Sequence, residues 1–223
     1  MKEEHISLLE HQDLFSGVAR EDIGHMLQCL GAYEKTYQKS EFLLLSEETV
    51  NCIGIILKGR VHMVKEDLWG NSTILTALQP LEIFGESFAC GSSKKSTVSF
   101  QAAEATEVLF LQFHKVMRTC SKVCSFHQQL IENMVSIIAD KNVLLMEKIE
   151  ITSKKTIREK IFAYLVNQAQ KKNSNYITIP MGRLELAEYL CVDRSALTRE
   201  LNAMRDQGFI DFDKNTFRIL KEL

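Results

Sequence analysis

Apolar positions along this chain change their period from one stretch to the next, and each period predicts a different kind of element. Between residues 3 and 30 they come in short groups (Leu8 and Leu9, Leu14 and Phe15, then Ile23, Met26, Leu27 and Leu30), which predicts short helices. From Tyr33 to Gln112 the pattern becomes alternation broken by turns. The runs Glu41–Leu45, Cys52–Leu57, Gly59–Lys65, Ser72–Leu78, Ser96–Ala102 and Glu107–Phe113 predict strands, and their spacing predicts a small all-β barrel or jelly roll. Hairpin turns are expected at Lys58–Val61 and Asp67–Asn71.

The longest helix is expected over Phe126–Ile149. It carries one apolar stripe at Leu130, Ile137, Leu144 and Ile151, and a second at Ile131, Met134, Ile138 and Leu145. One stripe can pack on the chain's own barrel while the other pairs with a partner helix as a short coiled coil. Lys141 and Asn142 interrupt the stripes, and a buried Asn at such a place fixes register. A core helix covered on both sides within a monomer is the alternative. Glu150–Lys155 then reads as a hinge, Thr156 as the cap of a helix over Ile157–Gln170, and Ile177–Pro180 as a short strand.

The stretch Arg183–Phe212 reads as helix, tight turn, helix and strand. Leu184, Ala187, Tyr189 and Leu190 give the first helix an apolar face, and Cys191–Val192 breaks the period. Asp193 is a good N-cap, because its carboxylate can accept from amides two and three residues on. In the second helix Ala196, Leu197, Leu201 and Met204 face inward. Arg194, Ser195, Thr198, Arg199 and Asn202 fall on or beside the outward face, which is the arrangement that reads base edges in a major groove. Gly208 closes the helix, and Phe209–Phe212 with Phe217–Ile219 forms a hairpin across Asp213–Asn215, the mark of a winged helix-turn-helix.

Charge strengthens that picture. The chain has 223 residues, 45% hydrophobic and 25% charged, with a formal net charge of −2. Residues 151–223 hold 13 Lys and Arg against 9 Asp and Glu, whereas residues 1–150 hold 14 against 20. An acidic part joined to a basic part suits a sensor attached to a DNA reader. The beginning, MKEEHISLLEHQD, is polar and acidic, and no apolar run reaches the ~18 residues of a membrane helix, so a cytoplasmic protein without membrane contact is expected. Six cysteines are scattered without a CxxC pair, so disulfides are not expected. Cys120 and Cys124, four apart, could form a redox or metal pair; two small buried residues are the simpler reading.

The segments LELAEYL (184–190), Val192–Arg194, Thr198–Arg199 and Gly208–Ile210 resemble the DNA-binding domain of the CRP/FNR family of regulators. The likeness continues upstream: LFSGVAREDIGHML resembles the family's opening helix. Ile53–Val61 and Leu78–Glu86 resemble the two signature stretches of its cyclic-nucleotide-binding barrel. In nucleotide-binding members of that fold a Gly-Glu pair holds the ribose, and an Arg followed by Ser or Thr holds the cyclic phosphate. Gly85–Glu86 matches the first pair, although the Gly can equally serve a positive φ and the Glu an internal partner. The Arg position falls on Ser96 and the next on Thr97, with Lys94 and Lys95 just upstream. Without the guanidinium fork, cyclic-nucleotide binding is expected to be lost. The iron–sulfur branch of the family has clustered N-terminal cysteines, whereas here Cys29 stands alone, so no cluster is expected. Nor is haem: His62, His114 and His127 are each single, with no second ligand at recognisable spacing.

The fold expected is α+β: a jelly-roll sensor over residues 1–125, a dimerisation helix over 126–150 and a winged helix-turn-helix over 151–223. The function expected is a homodimeric regulator on a palindromic operator, with RNA polymerase as the partner the resemblance implies and an effector other than a cyclic nucleotide, or none. No nucleophile–base pair, phosphate loop or metal-ligand spacing marks an enzyme. The alternative is a ligand- or redox-sensing module whose C-terminal domain docks a protein.

Overall fold

The apolar run Cys52–Leu57 is continuous because its strand is covered on both faces. Ile53, Ile55 and Leu57 join a core shared with the helices, whereas Ile56 joins a second core inside the barrel. The computed structural model describes residues 3–67, 69, 72–118 and 125–221. Cys120, Cys124 and part of the expected Asp67–Asn71 turn lie outside the described residues. The chain divides into two compact units, Met1–Asp140 and Lys141–Leu223.

The first unit begins with α1 (Glu3–Leu9), a 3-10 turn (Asp13–Phe15) and α2 (Arg20–Cys29). Strands β1 (Tyr33–Tyr37), β2 (Phe42–Leu44), β3 (Cys52–Lys58), β4 (Val61–Glu66), β5 (Ser72–Leu78) and β6 (Ile83–Phe84) follow. After α3 (Glu86–Cys90) come β7 (Ser99–Ala102), β8 (Thr106–Gln112), α4 (Phe113–Val116) and the start of α5 (Ser125–Thr152). The strands make two antiparallel four-stranded sheets, ordered β1-β8-β3-β6 and β2-β7-β4-β5, which is the expected jelly-roll sandwich. The sequence pattern missed β1 and β6. β1 is an edge strand with only Tyr37 buried, and β6 has two residues, so neither alternates visibly.

On α5, Leu130 and Met134 are fully buried in the first unit's core, with Ile137 and Ile138 packed against it in part. Asn133 fastens the same face by donating to the Leu14 carbonyl at 3.0 Å and the Ser16 carbonyl at 2.8 Å. The stripe at strict sevens is therefore not one surface: Leu144 is 55% exposed, while Ile151 is buried in the second unit. That burial carries the helix on through Thr152, into the expected hinge. Among the described residues no helix is long and apolar enough to cross a membrane.

The second unit adds α6 (Ile157–Lys172), β9 (Tyr176–Thr178), α7 (Arg183–Tyr189), α8 (Arg194–Asp206), β10 (Ile210–Asp213) and β11 (Thr216–Ile219). The three strands form a sheet ordered β10-β11-β9, and β10–β11 is the wing. Its core gathers Ile161, Leu165, Leu186, Ala187, Leu190, Leu197, Leu201, Met204 and Phe217. On α7 it is Leu186 that enters this core, and Leu184 is 54% exposed. Positions 186, 187 and 190 share one side of so short a helix, and 184 falls away from it.

Candidate nucleic-acid interface and effector barrel

The second unit is built to hold α8 by its ends and back. Thr156 starts α6 with a capping box: its hydroxyl accepts from the Glu159 amide at 3.1 Å, and the Thr156 amide donates to Glu159 Oε2 at 2.9 Å. Those bonds to Thr156 hold the Glu159 carboxyl below its ordinary pKa. Within the same first turn, Arg158 reaches from α6 to α8. Its Nε donates to Glu200 Oε1 at 2.6 Å and its Nη1 to Gln207 Oε1 at 2.8 Å, with the guanidinium 5.5 Å from the Phe209 ring. Lys160 donates to the Leu190 carbonyl at 3.3 Å, beside the turn between α7 and α8.

Asp193 caps α8 as its position predicts. One carboxylate oxygen accepts from the Ser195 amide at 2.8 Å, the Ala196 amide at 3.0 Å and the Ser195 hydroxyl at 2.6 Å. The bond from the Ser195 side chain, then the Ala196 amide, lowers the Asp193 pKa; nearby Arg199 contributes in the same direction. Leu197, Leu201 and Met204 are buried, and Ala196 is half-buried. Arg194, Ser195, Thr198 and Arg199 are exposed together on the opposite side, with Asn202 half-buried at their edge. Two hydroxyls on that face are already donating: Ser195 to the cap, and Thr198 to the Arg194 carbonyl at 2.9 Å. The two arginines remain as the extended donors of the face.

Arg183 is a functional candidate that the sequence pattern did not single out. It opens α7, yet its guanidinium lies 5.0 Å from the Phe212 ring and 4.9 Å from the Phe217 ring on the wing. Its Nη2 donates to the Lys214 carbonyl at 2.6 Å. Burial lowers its pKa.

In the barrel, Gly85 takes φ 83, a left-handed conformation that a side chain would strain. Glu86 is 4% exposed and receives the Ser87 hydroxyl at 3.2 Å. Ser96 is fully buried, and its hydroxyl donates to the Val98 carbonyl at 2.6 Å. Thr97 is exposed, so the two residues at the phosphate position do not converge on one point. Their segment is strapped to residues 47–50 by backbone bonds: Glu47 N–H to Ser96 O at 2.7 Å, Ser96 N–H to Glu48 O at 3.0 Å and Val50 N–H to Lys94 O at 2.7 Å. Lys95 lies 3.7 Å from Glu47. Between the sheets, Phe84 lies 4.9 Å from Phe100 and 6.0 Å from Phe110, and Phe88 lies 6.4 Å from Phe100. Phe84 also fills the space over Gly54, where a Cβ would come within 2.3 Å of its ring. Burial raises the Tyr37 phenol, at the edge of this aromatic group, to about 12. Among the described residues, no group of His, Cys, Asp and Glu is gathered to hold a metal ion. His127 is buried at the start of α5, while His62 is half-buried and His114 exposed elsewhere in the unit.

Residues 34–122 match the family described as the cyclic nucleotide-binding domain, and residues 159–222 match the Crp-like helix-turn-helix domain. The chain belongs to the CRP/FNR family of transcription regulators. Among relatives of this CRP/FNR protein is the transcriptional activator protein FnrA of Stutzerimonas stutzeri, 23% identical over 191 residues, covering 83% of this chain and 76% of the relative. Solved structures that share its fold include these two. FixK2 from Bradyrhizobium japonicum is 18% identical with a TM-score of 0.53, covering 85% of this chain and 93% of that one. A CooA variant from Carboxydothermus hydrogenoformans is 19% identical with a TM-score of 0.60, covering 89% and 86%. A DNA-binding helix-turn-helix therefore follows a barrel of cyclic-nucleotide-binding type in one regulator chain.

Proposed function

We propose that the chain is a homodimeric, sequence-specific regulator that reads a palindromic operator through α8, with a barrel that no longer takes a cyclic nucleotide. The outer face of α8 carries this reading: Arg194 and Arg199 are exposed on a helix whose start is pinned by Asp193 and whose back is clamped by Arg158. Each Arg offers parallel donors suited to guanine O6 and N7. Ser195, Thr198 and Asn202 supply weaker contacts beside them. Two copies would place their α8 helices in successive major grooves about 34 Å apart.

Support for the dimer comes from α5, where Val135 (56%), Leu145 (59%) and Ile149 (65%) are exposed and Ile138 is half-exposed. With Asn142 they follow a three-four spacing, the seam of a two-stranded coiled coil with one polar position that sets register. In this proposal residues 1–125 sense, 126–150 pair and 151–223 bind DNA, in the cytoplasm, with RNA polymerase as the family partner on the promoter. The barrel answers to another small molecule or to none. Ser96 in place of Arg, its hydroxyl spent on Val98, and the phenylalanines between the sheets support that part.

Randomised-site selection on the full chain and on Arg194→Ala and Arg199→Ala tests the DNA reading. A palindrome with G-linked positions that blur in the variants is expected; loss of affinity equal for all sequences would move these side chains from bases to phosphates. Calorimetry with cyclic AMP and cyclic GMP tests the barrel, where micromolar affinity would overturn the reading.

A further inference from the structure

We infer that Arg183 is the latch that sets the wing on DNA, a positioning residue acting through a phosphate contact by Lys214; this rests on the DNA-binding reading above. Phe212 and Phe217 face each other across β10 and β11, with ring centroids 5.5 Å apart. The Arg183 guanidinium meets both rings while its Nη2 holds the Lys214 carbonyl, so one planar group orients strands and tip together. Arg205, on α8, stacks on Phe212 from 5.0 Å, which joins the reading helix to the same assembly. Arg183 Nη1 is buried and has no hydrogen-bond partner among the described residues. A half-buried cation held by ring faces and a carbonyl is a poor way to fill space, since an apolar side chain would avoid its desolvation. What the guanidinium adds is orientation.

Orientation matters at this tip. Lys214 has φ 49, left-handed, with its carbonyl tied inward and its side chain exposed. Asp213, also exposed, stands beside it and would repel a phosphate. Which of the two meets the DNA backbone depends on how the tip is held, and Arg183 holds it.

The test is the salt dependence of binding to one operator duplex and to random duplex, with the full chain. Each lost phosphate contact lowers the log–log slope by about 0.9, which makes the affinity loss between about 50 and 200 mM salt roughly 3.5-fold smaller. Lys214→Ala should lose one such contact. Arg183→Met, Arg183→Lys and Phe212→Leu should each lose the same one, and Arg183→Met with Lys214→Ala together should lose no more. The selected operator sequence should stay unchanged, and melting curves confirm that each variant is folded; Phe212→Leu, which alters no charge, serves if an Arg183 variant does not fold. Overturning results are a slope unmoved by the Arg183 variants, a wild-type slope in Arg183→Lys, or a double variant that loses two contacts. A wild-type affinity indifferent to salt would instead sink the DNA-binding reading itself.

Discussion

Ser195 has the right identity and position for base contact, yet its hydroxyl is committed to the Asp193 carboxylate at 2.6 Å. That leaves Arg199 as an exposed donor with no competing bond to its own helix among the described residues. Arg199→Ala should therefore cost about 1–3 kcal/mol on the best operator and flatten preference at one base pair. Titration of operators carrying each base at that position checks this; a uniform loss across all four would contradict it. In the barrel the equivalent single-residue test is Gly54→Ala. Its methyl would meet the Phe84 ring at 2.3 Å, so overpacking should cost about 1–3 kcal/mol. Phe84→Leu should relieve that clash, so denaturant melts of the two singles and the double should reveal coupling between the sites. Strict additivity would mean that the ring swings clear.

At the scale of elements, α8 is held at its start by one carboxylate and α6 by another. The folded pKa of Asp193 and of Glu159 is depressed by hydrogen bonds, so the folded form favours the ionised groups. The unfolded chain consequently binds more protons as acid is added. The stabilisation is complete above the ordinary carboxyl values of about 3.9–4.3, and it is lost as pH falls through the lower folded values. Asp193→Asn keeps an acceptor for the cap but removes the titration. Thermal unfolding between about pH 5 and pH 3 should fall less steeply for this variant than for wild type. Identical acid slopes would show that the cap contributes nothing through its charge.

On the scale of the whole molecule the exposed seam of α5 decides assembly. Ile138 is a poor probe of it, because it also packs against the first unit's core. Leu145, 59% exposed, has no such second duty, so in a monomer Leu145→Glu would sit in water at little cost. In a paired helix the same charge is buried opposite its copy, at a cost of about 3 kcal/mol or more. Light scattering should find the variant monomeric with its melting otherwise intact, and operator binding should weaken with it. A Leu145→Glu protein that remains a dimer would place the interface elsewhere.

The sequence by itself determined the elements whose signals are short in range. Asp193, the apolar spacing of Leu197, Leu201 and Met204, and the hairpin after Gly208 lie within a few turns of one another, so α8, its cap and the wing were legible. Most strands of the barrel, the long helix and the Thr156 cap were legible for the same reason. Tertiary structure decided what covers each face, because a period says which residues share a side and not what lies against it. It sent Leu130 and Met134 of α5 into the first unit's core, buried Ile151 in the second unit, and left Leu144 and Leu145 outside. It put Leu186 and not Leu184 under α7. It brought Phe84, Phe100 and Phe110 from three separate strands into one aromatic group, and Arg183 onto a wing about thirty residues further along the chain. Contacts between residues so far apart leave no trace in local spacing, and only the packed chain brings them together.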